Sequence, residues 1–129
     1  MRRLDTFLCY NLSMVIKMVK TPITKSELAE IASEEFGDVV KVVVDVEQEI
    51  MAVGGELHAD EEVILIEQEL SKRENTWGIN VYPKKPEPEW IEFDSMINLK
   101  PAFGNRSRDV ENLETQAKIR NIVKKLVVD

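Results

Sequence analysis

Residues 39–46, VVKVVVDV, constrain the fold of this chain more than any other segment. Six of the eight positions are valine, and β-branched side chains favour an extended backbone over a helix. The even positions from Val40 to Val46 form one apolar face, while Val39 and Val43 add apolar side chains to the other. A strand with valines on both faces is expected to be covered on both sides, by helices or by a second subunit.

Four further segments carry the alternation or the short apolar runs that are typical of strands. Residues 50–55, IMAVGG, predict the returning strand of a hairpin, with a single helix through 45–53 as the alternative. The other three predicted strands are 61–68, 76–83 and 90–99, of which the first two are expected to pair with each other.

Two helices are predicted at the ends of this series of strands. Thr24 and Glu27 have the spacing of a capping box, which begins a helix over about 25–36. Asn112 is a suitable N-cap for a second helix over about 113–127. The sequence therefore predicts an α+β fold, with an antiparallel sheet of four to five strands in hairpin order, flanked by an N-terminal and a C-terminal helix.

Length and charge narrow the class of protein. A chain of 129 residues fits one domain, which we expect over 21–129. Residues 1–20 are expected to be a poorly ordered leader, or to lie upstream of a natural start at Met14 or Met18. The net charge of -7 argues against nucleic-acid binding. No apolar run is long enough for a membrane helix, and the single Cys9 fits a reducing compartment, so a cytoplasmic location is expected.

The stretch GGELHADEE, 54–62, is the first candidate site. If it is extended, Glu56, His58 and Asp60 point to one side, and carboxylates with an imidazole suit Mn²⁺, Fe²⁺ or Zn²⁺. Acids of the first and last strands extend the candidate ligand set of a divalent metal ion to Asp45, Glu56, His58, Asp60, Glu92 and Asp94. The competing interpretation is the solvated face of a sheet, since no second histidine or metal motif is present.

The second candidate is a loop that precedes the C-terminal helix. Its glycine, guanidinium groups and backbone N–H groups are suited to binding a small anion, and its candidate residues are Asn105, Arg106, Ser107 and Arg108. The alternative is structural: one of the two arginines pairs with Glu92 or Asp94 and fixes the loop to the sheet.

Three stretches together resemble a known family: VVVDVEQEIMAVGGELHADEE, WGINVYP and EFDSMINLKPAFGNRSRDVE. They are similar to a family of bacterial and archaeal proteins that is known only as a domain of unknown function, over about Thr24 to Leu126. The resemblance implies a glycine near Glu69 or Leu70 and a proline at the position of Leu113. This chain differs at both places, and the first difference implies another turn between strands. The resemblance implies no activity.

Two classes of function stay open on this basis, and whether the protein is an enzyme is undecided. The first is a ligand-binding or protein-interaction module that holds a small anion. Aromatic residues on successive strands, as core or interface residues, make it a candidate homodimer. The alternative is a divalent-metal-dependent hydrolase of a phosphate-containing substrate. Nucleophilic catalysis has weak support, because Ser95 has no candidate base except His58, which is distant in sequence.

Overall fold

The valine-rich segment lies in the middle of a five-stranded sheet in the computed structural model, which describes residues 16–129. The strands are β1 (Lys17–Val19), β2 (Ile23–Thr24), β3 (Val40–Asp45), β4 (Ile50–Val53), β5 (Thr76–Val81), β6 (Ile91–Glu92) and β7 (Val127–Val128). The main sheet has the order β1-β4-β3-β5-β6, and all its neighbouring strands are antiparallel. Strands β2 and β7 form a separate parallel pair.

Three helices cover the two faces of the sheet: α1 (Lys25–Glu35), α2 (His58–Glu69) and α3 (Leu113–Leu126). Val42 and Val44 belong to the larger apolar core, together with Leu28 of α1 and Ile119 of α3. Val43 points the other way, into a smaller core that includes Leu65 of α2. The predicted burial of this strand on both faces is therefore confirmed, and helices provide it.

The predicted fold class is confirmed, with a helix at each end of an antiparallel sheet. Helix α1 begins with the expected capping box between Thr24 and Glu27, and the Asn112 side chain caps α3 by accepting from the Thr115 N–H. Strands β3 and β4 form the predicted hairpin. The alternative of a continuous helix through 45–53 is therefore wrong.

The predicted strand at 61–68 is wrong, because these residues lie in helix α2. The buried positions of this helix are 58, 61, 62, 64 and 65, and four of them, 58, 61, 62 and 65, lie at helical spacing. Three of those positions are polar, namely His58, Glu61 and Glu62. Their polarity hid the helical period and left only a short apolar run, which periodicity alone cannot assign. Strand β5 accordingly pairs with β3 and β6 instead.

The predicted strand at 90–99 is correct only at its start, because β6 ends at Glu92. Ser95 then caps a 3₁₀ turn over Met96–Asn98. The side chain of Asn98 takes the place of a strand there: its Oδ1 accepts from the Gly78 N–H at 2.8 Å, and its Nδ2 donates to the Gly78 carbonyl at 3.0 Å. One amide side chain thus satisfies the edge of β5.

Residues 16–20 were expected to belong to a poorly ordered leader, but strand β1 lies among them and pairs with β4. Ile16 is buried in the smaller core. The remainder of that expectation, over 1–15, lies outside the described residues. Between Ile16 and Asp129, none of the helices is long and apolar enough to cross a membrane.

Candidate functional site

A cavity of about 290 Å³ lies at the N-terminal end of α2; we call it the α2 cavity. Six polar or charged residues contribute to its wall: Lys41, His58, Asn80, Asp94, Ser95 and Arg108. They come from five separate segments of the chain, so the fold is needed to bring them together.

Strands β3 and β5 supply the floor of the α2 cavity. Lys41 and Asn80 are direct cross-strand partners, and their side chains are on the opposite face from Val40 and Val42. The Asn80 Nδ2 donates to Glu92 Oε1 at 2.9 Å and to the Asp94 carbonyl at 3.3 Å. Asn80 is therefore held to the segment that forms the adjacent wall.

His58 is the first residue of α2 and is 93% shielded from solvent, with 7% of its surface exposed. Its Nε2 lies 2.8 Å from the Ile79 carbonyl oxygen, which fixes Nε2 as the protonated nitrogen of the neutral ring. Burial lowers the pKa of His58 to about 4. The imidazole is therefore neutral at pH 7, and Nδ1 carries a lone pair.

Gly78 allows His58 and Ser95 to pack on the same point of β5. A Cβ at position 78 would lie 2.5 Å from Ser95 Oγ and 3.1 Å from His58 Cγ. No side chain fits there without displacing one of the two residues. Residues 58 and 95, far apart in sequence, are therefore near neighbours in the α2 cavity.

The charges around the cavity are unequally compensated. Arg108 Nε donates to Asp94 Oδ1 at 2.6 Å, so this arginine is already paired. Among the described residues, no carboxylate forms an ion pair with Lys41. The Lys41 ammonium lies 5.5 Å from the centroid of the Phe36 ring, a contact that leaves its positive charge uncancelled.

The end of α2 adds backbone donors to this positive charge. Its N-cap, Leu57, provides no side-chain hydrogen bond. Within residues 16–129, nothing accepts from the backbone N–H groups of His58 and Ala59. Unpaired N–H groups and the helix dipole favour negative charge at this end.

The candidate metal ligands are dispersed. Asp45 lies at the far end of β3, where it accepts from the Ser71 hydroxyl and from the Glu47 N–H. His58 and Asp94 border the α2 cavity. The proposed extended geometry of Glu56, His58 and Asp60 is wrong, because His58 and Asp60 are in the first turn of α2, with Glu56 exposed before it. Glu92 Oε1 accepts a hydrogen bond from Asn80 Nδ2.

Among residues 16–129, no group of three or more histidines, cysteines and acids is arranged to hold a metal ion. The divalent metal ion stays a prediction from the sequence.

The four candidate anion-binding residues have different surroundings. Asn105 is buried, and its Nδ2 donates to three carbonyls of the same loop region. Ser107 Oγ accepts from the Asp109 N–H at 3.2 Å, and Arg106 is exposed. Arg108 alone of the four borders the α2 cavity. Its pair with Asp94 is the structural alternative that the sequence suggested.

The sequence did not identify Lys41, Asn80 and Ser95 as parts of one site. The sequence shows Lys41 as a charged residue within a valine-rich strand. Which residue lies opposite it on the neighbouring strand depends on the register of the sheet. Gly78 carried the clearest signal, since a glycine inside a strand often marks a close approach of other groups.

Further buried polar groups lie beneath α2. Glu61 Oε2 accepts a hydrogen bond from the Gly55 N–H at 2.8 Å. Burial raises the pKa of the Glu61 carboxyl well above its usual value. Lys100 donates to the Arg73 carbonyl and lies 3.7 Å from Glu62 Oε2. Burial lowers the pKa of Lys100 to about 8.

The fold and the cavity define a small α+β domain with a polar site on the more polar face of its sheet. The chain matches the family model described as Protein of unknown function (DUF5674) over residues 17–126, and it belongs to that family. Comparison with curated proteins and with solved structures found no match.

Proposed function

We propose that the protein is a ligand-binding module that holds a small anion, a carboxylate or a phosphate, in the α2 cavity. The observation that carries this proposal is the combination of Lys41, which has no carboxylate partner among the described residues, with the uncapped N-terminus of α2. Both features favour negative charge at the same end of the helix.

The charges of the cavity wall support an anion over a metal ion. A buried imidazole with a pKa of about 4 adds no charge at neutral pH, but its ring fills the wall beside Lys41. Asp94, the acid in the wall, is paired with Arg108. A cation would meet Lys41 and Arg108 without an unpaired carboxylate to bind it.

The size of the cavity limits the ligand to a small molecule. A volume of about 290 Å³ is at the lower end of the roughly 300–1,000 Å³ that small-molecule sites occupy. The exposed Leu57 and Met96 border the opening. A ligand with a short apolar portion beside its anionic group therefore suits the site.

Thermal unfolding with inorganic phosphate, and separately with propionate, tests the proposal against chloride at equal ionic strength. A ligand present at 100 times its Kd stabilises the folded state by about 2.7 kcal/mol. We expect at least one of the two anions to raise the Tm of the wild type, and Lys41→Met to remove most of that increase.

Two matched variants locate the effect. Lys84→Met removes an exposed charge of the loop after β5 and should keep the anion response. Arg106→Met tests the site expected from the sequence in the 104–112 loop and should also keep it. Loss of the response in Arg106→Met but not in Lys41→Met would move the site to that loop. No response to either anion would refute the proposal.

The homodimer stays part of this proposal as an expectation from the sequence. Trp77 and Trp90 give it little support, since both are buried within the core. Exposed apolar residues such as Phe103 and Leu113 are better candidates for a contact between copies.

A further inference from the structure

We propose that Ser95 and His58 form a nucleophile and base pair in the α2 cavity, which accepts the acyl group of a small ester. This reaction goes beyond anion binding and does not require it. The proposal depends on the packing of the two side chains against Gly78, on the orientation of His58, and on the donors at the end of α2.

Packing against one glycine brings the two groups together. Ser95 Oγ and His58 Cγ lie 2.5 Å and 3.1 Å from the same point, the position of a Cβ on Gly78. The hydroxyl and the ring are therefore within about 6 Å of each other, and a rotation of the serine side chain changes the remaining gap. Catalytic hydrogen bonds are often long in the absence of substrate.

The orientation of the His58 ring leaves Nδ1 free to accept a proton. Nε2 donates to the Ile79 carbonyl at 2.8 Å, so the backbone of β5 orients the ring as a third group does in hydrolytic triads. Nδ1 is then the acceptor, and it is bonded to Cγ, the atom that lies against Gly78.

Ser95 lines the α2 cavity with 2% of its surface exposed. Its Oγ accepts from the Ile97 N–H at 3.3 Å, a contact that stabilises negative charge on the oxygen. Within residues 16–129, no acceptor is bonded to the hydroxyl proton of Ser95. That proton is therefore available for transfer to His58.

The same donors that favour an anion can stabilise a transition state. The N–H groups of His58 and Ala59 are at the end of α2, and Lys41 adds a positive charge to the wall. Developing negative charge on a carbonyl oxygen is stabilised by donors of this kind.

The reaction follows from these roles. Ser95 Oγ attacks the ester carbonyl carbon as its proton passes to His58 Nδ1, which gives a tetrahedral oxyanion. Collapse of this species breaks the bond to the alcohol oxygen, which takes the proton from His58 and leaves an acyl ester on Ser95. Attack by water releases the carboxylate and restores the hydroxyl.

A weakly basic imidazole makes both steps slow. His58 stays neutral through the physiological range, since burial lowers its pKa to about 4, but a weaker base lowers the rate of proton transfer. p-Nitrophenolate is a good leaving group, so acylation by an activated aryl ester is faster than the hydrolysis that follows it, and the acyl ester accumulates. The covalent adduct is therefore a better readout than turnover.

The experiment is intact-mass analysis with peptide mapping after incubation with p-nitrophenyl acetate at pH 7.5. We expect one acetyl group on Ser95 that hydroxylamine removes, as it removes esters but not lysine amides. Ser95→Ala should lack this adduct, and Ser33→Ala, which removes an exposed hydroxyl of α1, should keep it. His58→Gln should slow its formation by about 100-fold, the lower end of the contribution of a general base, because the imidazole is weakly basic.

The wild-type result decides the proposal even if a variant fails to fold, and His58→Asn serves as a second base variant. Absence of an ester on Ser95 in the wild type would overturn it. An equal rate in a folded His58→Gln protein would also overturn it. The anion response of Ser95→Ala is measured in parallel, so that failure of acylation and failure of anion binding are separate outcomes.

Discussion

The two faces of the sheet differ in what they bury. The face covered by α1 and α3 is packed with aliphatic and aromatic side chains. The face covered by α2 has a smaller apolar core and buries His58, Glu61, Glu62 and Lys100 beside it. Burying polar and ionisable groups costs stability unless they are well paired. The first face therefore contributes more to the stability of the fold than the second, which buries ionisable groups.

Leu28→Ala is expected to have the largest effect, because it tests the apolar face directly. Leu28 is fully buried against the sheet, and such truncations cost about 3 kcal/mol or more. Urea unfolding measures the change. Leu113→Ala, at a side chain that is 76% exposed, is the matched control and should change the free energy of unfolding by less than about 0.5 kcal/mol. Equal effects would contradict the assignment of stability to this face.

Lys100→Met tests whether the face of the sheet covered by α2 buries an ionisable group with a shifted pKa. Burial lowers the pKa of Lys100 from 10.5 to about 8. Between these values the unfolded state binds more protons than the folded state, so the free energy of unfolding rises with pH. The rise from pH 7.5 to 9.5 should be about 2 kcal/mol for this group.

Urea unfolding of the wild type and of Lys100→Met at the two pH values measures this rise. The contributions of other titrating groups are the same in both proteins, so the difference between them isolates Lys100. Lys100→Met should abolish the part of the rise that comes from Lys100. A rise of the same size in the variant would show that Lys100 keeps an ordinary pKa.

Leu70→Gly should produce the smallest change, and a favourable one. Leu70 caps α2 in the left-handed conformation, with φ of 58°, and its side chain is 81% exposed. Glycine relieves the strain of the Cβ but loses more entropy on folding, so we expect a gain of about 0.5–1 kcal/mol. Thermal unfolding measures it. Leu113→Gly, in the first turn of α3, should instead lower the stability.

The face of the sheet covered by α1 and α3 was largely predictable from the sequence, and the face covered by α2 was not. Thr24, Glu27 and Asn112 carry local capping signals, and the valines of β3 specify a strand by side-chain shape. Helix α2 buries His58, Glu61 and Glu62 at helical spacing, a pattern that hydropathy cannot detect. The pairing of Lys41 with Asn80 depends on strand register, and the approach of Ser95 and His58 to one point of β5 depends on Gly78.

The most direct test of an anion site at the end of α2 is a ¹H–¹⁵N NMR titration of the uniformly labelled protein with phosphate or propionate. We predict saturable shifts of the backbone amides of His58 and Ala59, together with Asn80 and Ser95 across the cavity. Saturable shifts confined to 104–107, or no saturable shift anywhere, would contradict an anion site in the α2 cavity.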